Sequence, residues 1–184
     1  MTSANFAVHA DAIIPVSGPE NVLKSHSIVV RQGLIDALMP HAQARAVSDV
    51  DHIELPGHVL MPGLVNAHGH AGMSLLRGYA DDMSLASWLN DKIWPLEARL
   101  VSPEFVRDGT DIAAAEMLLS GITTTSDMYF FPDIAAQSLR AAGMRTQLVF
   151  PVMNIETAWA KNPEEYFEKG LALRDYFRND DLVD

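Results

Sequence analysis

The sequence predicts an α/β chain: the first part of a TIM-type (β/α) barrel, about three βα units, preceded by a small β region. Three observations lead there. After residue 60, strand-like apolar runs alternate with helix-like stretches, the pattern of parallel strands joined by right-handed crossovers. Before residue 60, short apolar runs are separated by Gly and Pro, with no helical period. Finally, His68 and His70 fall where the first strand of the alternation should end, and barrel enzymes carry their chemistry at the C-terminal ends of strands. A doubly wound sheet also fits the alternation; the position of the histidines selects the barrel. A complete eight-unit barrel needs ~200–250 residues, so the chain reads as the front portion of a larger enzyme. Residues 1–60 form one domain on this reading and residues 61–184 the other.

Composition sets the class. The chain has 184 residues, 48% hydrophobic and 20% charged, an ordinary globular balance. A formal net charge of −11 argues against a nucleic-acid partner, which requires a basic face, and suits a soluble cytoplasmic protein. With no cysteine, disulfides and thiolate metal sites are excluded, so any metal is held by nitrogen and oxygen. The start, Met1-Thr2-Ser3-Ala4-Asn5-Phe6, lacks the basic region and apolar core of a secretory signal. No run approaches the ~18–20 apolar residues that span a membrane.

The elements follow in order. Residues 6–16 are apolar and end at Pro15 and Gly18. Residues 26–30 and 34–39 flank Arg31-Gln32-Gly33, a hairpin signal. Residues 52–55 and 58–61 flank Pro56-Gly57, read as another turn. Val59 through Val65 reads as a buried strand. A helix begins near Ser84, with Leu85, Trp88 and Leu89 at helical spacing. Ser102-Pro103-Glu104 gives an N-cap, a proline at the first helical position and an acidic first turn; that helix stops at Gly121. Residues 122–128 are β-branched and read as the second strand. Asp133 caps a helix that Gly143 ends, and residues 145–152 read as the third strand. Asn162-Pro163-Glu164-Glu165 opens the last helix with Glu at its third position.

The chemistry-bearing residues are few. Imidazoles at i and i+2 of a strand share a face, so His68 and His70 can aim at one metal ion, with Gly69 leaving room between them. Spacing alone leaves open a pair of polar residues in a surface loop, and two ligands fall short of the three that a catalytic zinc takes from protein. His9, His26, His41, His52 and His58 read as ordinary surface residues. Asp81-Asp82 reads as a solvated pair. Glu97 follows the Pro95 break and reads either as a surface residue or as a side chain projecting from a βα loop. Trp88 and Trp94 can stack on a planar ligand, or pack in the core. Asp127 ends the second strand, where it can face the mouth of the sheet or bind a loop amide.

From Pro62 to Val152 these pieces fall into an order that resembles the amidohydrolase superfamily. Within it they resemble the branch of 5-methylthioadenosine and S-adenosylhomocysteine deaminases, grouped with triazine and ammeline hydrolases. The resemblance is carried by Pro62-Gly63-Leu64-Val65-Asn66-Ala67-His68-Gly69-His70, then Leu75-Leu76-Arg77-Gly78-Tyr79-Ala80-Asp81-Asp82. Leu85 with Trp88-Leu89, Ile93-Trp94-Pro95-Leu96-Glu97, Glu116-Met117-Leu118, Gly121-Ile122-Thr123-Thr124 and Gly143-Met144-Arg145 complete it. His-x-His is shared across the superfamily; the Arg-Gly, Trp-Leu and Pro-Leu-Glu blocks in this order are far more specific.

The resemblance implies that His68 and His70 are metal ligands, for one Zn2+ or for iron or manganese. It implies that Glu97 binds ribose hydroxyls and that Trp88 lies near the purine. The substrate would be a small purine nucleoside, deaminated to the inosine form with release of ammonia. The β region would be part of a composite β-sandwich. The further metal histidines, the substrate histidine, the catalytic glutamate and the metal-binding aspartate come from later strands, so this chain alone would be inactive. Its open edges would invite association, a homo-oligomer included. Some members carry an arginine where this chain has Phe150. That leaves a guanine, triazine or ammeline hydrolase, or a non-catalytic fragment or subunit, as alternatives.

Overall fold

The computed structural model describes residues 5–17 and 22–184, so Met1 to Ala4 and Gly18 lie outside the described residues. The chain divides into two compact units, Met1–Pro62 and Gly63–Asp184.

The first unit is built on one five-stranded sheet. Strand β1 (Phe6–Ile13) pairs antiparallel with β2 (Leu23–Lys24) and β3 (His26–Arg31), and parallel with β5 (Asp51–Leu60). Strand β4 (Leu34–Pro40) pairs antiparallel with β3. Gln32 and Gly33 both have positive φ (52° and 80°), the backbone that a tight two-residue hairpin requires. A short helix, α1 (His41–Ala44), tucks Ala44 against Ala7 and Val29. Pro56-Gly57 is not a turn. β5 runs straight past it, and the register with β1 slips between Ala10–Leu55 and Ala12–Val59. The dipeptide is a bulge: proline has no N–H for the ladder, Gly57 takes φ 76°, and its freed N–H donates to Asp11 at 3.0 Å.

The second unit holds a parallel three-stranded sheet in the order β6 (Leu64–Gly69), β7 (Ile122–Met128), β8 (Arg145–Val149). The expected strand through Val59–Val65 is divided at Met61-Pro62-Gly63 between β5 and β6. Nor is β6 buried: Val65 is 64% exposed, because among the described residues β6 pairs only with β7. After a 3-10 turn at Ala71–Leu76, helical backbone runs from Leu85 to Leu100. It comprises α2 (Leu85–Ser87, with the Ser84 hydroxyl accepting from the Ser87 amide), a π-helical stretch at Trp88–Ile93, and α3 (Trp94–Leu100). Pro95 therefore does not end the helix; it falls where the π-helical stretch passes into α3, the irregular ladder absorbing its missing N–H.

Helix α4 (Pro103–Leu119) starts on the Ser102 cap and ends before Gly121 at φ 79°. A Cβ at Gly109 would overlap the Gly72 carbonyl, so glycine is what lets α4 lie against the 3-10 turn. Helix α5 (Pro132–Ala141) is not capped by Asp133. Phe131 occupies the cap position at φ 51°, and Asp133 lies in the first turn, still favourable to the helix dipole. β8 stops at Val149, three residues short of the expected end, and the Phe150 ring turns toward Gly170 of α6 (Pro163–Phe177). Asn162 caps α6 by accepting from the Glu165 amide at 2.9 Å, and the Glu165 carboxylate accepts from the Lys161 amide. Beyond α6, residues 182–184 run parallel to β8 through three backbone hydrogen bonds of 2.7–2.9 Å. That pairing was invisible in a three-residue segment.

Candidate metal centre and substrate face

The two histidines sit at the C-terminal end of β6, on an irregular stretch. Between Asn66–Thr125 and Gly69–Asp127 the β6 strand carries one residue more than β7, so it bulges beside His68. Bulges re-aim side chains next to functional sites. The His68 and His70 rings meet edge to face, centroids 5.0 Å apart and planes at 83°. His68 is exposed and His70 half-buried. His70 Nδ1–H donates to the Met128 carbonyl at 2.6 Å, which holds the ring in one orientation and leaves Nε2 as the free lone pair. A backbone carbonyl orienting the ring from its far nitrogen is the usual support of a metal-ligating histidine.

Asp127 is the residue beside Met128. It is 2% exposed, and one carboxylate oxygen accepts from the Ala71 amide at 2.6 Å, so the loop-amide role is the one it takes. Burial pushes its carboxyl above the ordinary value, opposed by the Ala71 hydrogen bond and the field of His70. By this bond β7 holds the backbone that follows His70. Asp81 and Asp82 are exposed, as expected of a solvated pair.

Glu97 differs from its expected setting: it lies on α3 rather than a loop, and is 8% exposed. The Tyr129 hydroxyl donates to its Oε1 at 2.7 Å. Burial raises the Glu97 carboxyl, while the Tyr129 bond and His70 pull it back. Burial, and then the hydrogen bond to Glu97, raise the Tyr129 phenol far above its usual range. Tyr129 follows β7 directly, and nothing in its spacing marked it; only the buried carboxylate of Glu97 on α3 gives it a role.

These residues do not share one cavity. An open cleft of about 520 Å3 is lined by His70, Met73, Arg77, Asp81 and Trp88. A separate hollow of about 110 Å3 is lined by Glu97 and Trp94 with Phe130, Met153 and Ile155. The structure thus brings Trp88 beside His70 and puts Glu97 next door. Trp94, 48% exposed, is not a core residue. Among the described residues no group of three or more His, Asp or Glu side chains is gathered closely enough to hold a metal ion. The donor set of two imidazoles, one with its tautomer fixed, fits part of a divalent-metal site of nitrogen and oxygen ligands.

Comparison with known proteins gives this arrangement a family. The Amidohydrolase family profile matches residues 59–184. A 5-methylthioadenosine/S-adenosylhomocysteine deaminase from Teredinibacter turnerae is 47% identical over 183 residues, 99% of this chain and 41% of that protein. An adenosine deaminase from Xanthomonas campestris, solved with bound zinc, superposes with a TM-score of 0.84 at 37% identity, over 98% of this chain and 41% of its own. Atrazine chlorohydrolase from Arthrobacter aurescens TC1, complexed with zinc, gives the same TM-score at 21% identity, over 97% and 45%; that likeness concerns the fold alone. The chain spans about two fifths of the length of the curated relative it matches. No helix among the described residues is long and apolar enough to cross a membrane. With its profile match running from the last two residues of β5 to Asp184, the chain belongs to the amidohydrolase family.

Proposed function

We propose that this chain is the N-terminal portion of a metal-dependent deaminase acting on an adenine nucleoside thioether, 5-methylthioadenosine or S-adenosylhomocysteine. The product is the inosine form, with ammonia released. The observation that carries the reading is the 47% identity, over nearly the whole chain, to a protein of that name. On this reading residues 61–184 are the first three βα units of a barrel, and residues 1–60 are part of a β-sandwich.

His68 and His70 contribute two nitrogen ligands, His70 through the Nε2 that its bond to Met128 leaves free. A bound zinc ion would supply a water acidified toward a pKa of ~7, the nucleophile such chemistry needs. Iron or manganese fits the same donors. Trp88, on the cleft wall beside His70, offers a flat apolar face to the purine. Tyr129 occupies Glu97 Oε1, so Oε2 is left to accept from a ribose hydroxyl. Burial strengthens such a contact, because a carboxylate away from water gains more from each donor. The remaining ligands and the proton shuttle are not supplied here, so the 184 residues alone are inactive. The protein acts in the cytoplasm on a small molecule, without nucleic acid or membrane, and its open strand edges favour a homo-oligomer.

The test is a rate comparison on the protein encoded by the complete reading frame that contains this chain, with methylthioadenosine, guanine and a chlorotriazine as substrates. The proposal expects ammonia release from methylthioadenosine to dominate. Preferred turnover of guanine or the triazine would move the reading to a related ring hydrolase. No turnover of any of the three by a folded, zinc-loaded protein would favour a non-catalytic subunit.

A further inference from the structure

Three consecutive residues, the last two of β7 and the one after it, support three parts of the second unit. The Asp127 carboxylate accepts from the Ala71 amide at 2.6 Å, and the Met128 carbonyl accepts from His70 Nδ1–H at 2.6 Å. The Tyr129 hydroxyl donates to Glu97 Oε1 at 2.7 Å. Asp127 and Met128 thus grip the histidine end of β6, while Tyr129 reaches α3. One strand end fixes both the candidate metal ligand and the candidate substrate carboxylate, and so the spacing between them.

Packing accounts for the Tyr129 ring but not for its hydroxyl. The ring is buried with Val106 of α4 and Ala135 of α5. It lies so close over Gly72 that a Cβ there would overlap it. Phenylalanine would fill the same space. Nor does packing account for Glu97, which forms no ion pair among the described residues; a buried carboxylate without a cation costs a fold stability. The pair gains a purpose from the hollow that Glu97 lines with Trp94 and Met153. A loose glutamate side chain loses rotamer freedom when it takes hold of a ligand, whereas one already held by an oxygen has lost it beforehand.

We propose that Tyr129 is a positioning residue for the substrate: by holding Glu97 Oε1 it presents Oε2 at a fixed place relative to His70, and so sets the preference for a sugar that carries hydroxyls. The inference rests on the ribose-binding role proposed for Glu97. Tyr129 acts through Glu97 alone and takes no part in the chemical step.

The experiment uses the protein from the complete reading frame, assayed on methylthioadenosine and on its 2′,3′-dideoxy analogue. The parent is compared with Tyr129→Phe, Glu97→Gln and the double variant, with zinc content and unfolding midpoint measured for each. Tyr129→Phe should lower the ratio of the two kcat/KM values about tenfold, through KM for the hydroxyl-bearing substrate rather than kcat, with zinc retained. The double variant should lose no more of that ratio than Glu97→Gln alone, because one residue acts through the other. Equal losses on both substrates, additive losses in the double variant, or a ratio that Glu97→Gln lowers and Tyr129→Phe does not, would overturn the positioning role while leaving Glu97 its own. A ratio that Glu97→Gln also leaves unchanged would overturn the ribose role of Glu97, and this inference with it.

Discussion

The two histidine groups of this chain solve opposite problems. In the first unit His9 on β1 is buried, against the surface role expected of it, and meets Ser27 on β3 and the exposed His52 on β5; both His9 nitrogens and both His52 nitrogens are spent on hydrogen bonds within the unit, and Ser27 also meets His41 of α1. In the second unit His68 and His70 stand at a strand end, and only one ring nitrogen, His70 Nδ1, is spent on a backbone carbonyl. An imidazole with both nitrogens bonded serves the fold; one with a free nitrogen, held still, is available to a metal. What separates the two is the fate of the second nitrogen, not the residue type or the degree of clustering.

Activity is where the contrast should be largest. His70→Ala in the protein from the complete reading frame should lower the deamination rate by more than the ~10–100-fold that loss of a metal's outer support costs. His9→Ala should leave the rate per folded molecule within a few-fold. Steady-state kinetics on both variants checks this, and equal losses would erase the distinction.

Stability should reverse the order. His9→Ala removes a buried hub and strands Ser27, costing about 2–4 kcal/mol. His68→Ala, at an exposed position, should cost about 0.5 kcal/mol or less. Chemical denaturation of the 184-residue chain reads both. A His68 cost as large as that of His9 would mean that His68 also serves packing.

Glu97 sharpens the same comparison with a smaller effect. Burial raises its carboxyl above the ordinary 4.5, so the folded unit holds the proton longer than the unfolded chain does. Stability contributed by this group is therefore lost as pH rises from 4.5 through the raised value, and neutral pH finds a buried charge that weakens the fold. Glu97→Gln keeps an acceptor for Tyr129 and removes the charge. It should stabilise the chain at neutral pH, and do so more weakly below pH 4.5. If Glu97 binds ribose as proposed, the same change raises KM in the complete enzyme. A gain in stability with that loss of binding is the trade expected of a functional group.

What the sequence made legible was local. The caps at Ser102 and Asn162, the Gln32-Gly33 hairpin and the β-branched strand at 122–128 all depend on residues within a few positions of each other. His68 and His70 were findable because a two-residue spacing is a local fact. The His9 cluster was not: its members are separated by 18, 14 and 43 positions, and their meeting depends on two strand pairings and a helix. Pro56-Gly57 and Pro95 misled for one reason. Each is a breaker taken in isolation, and each is absorbed by its surroundings, the first by a bulge anchored on Asp11, the second by the irregular ladder where a π-helical stretch passes into α3. Tyr129 was silent because a hydroxyl acquires meaning only from the buried carboxylate it meets.

The central claim is that His68 and His70 are ligands of a site that needs further residues to close. Zinc titration, monitored by metal analysis and by the 15N shifts of the two rings, tests it most directly. The 184-residue chain should bind zinc weakly, with the His70 Nε2 shift moving and Nδ1 remaining protonated. The protein from the complete reading frame should hold one ion that His70→Ala loses. A His68→Ala/His70→Ala double variant of that protein retaining a full equivalent of zinc would contradict the account.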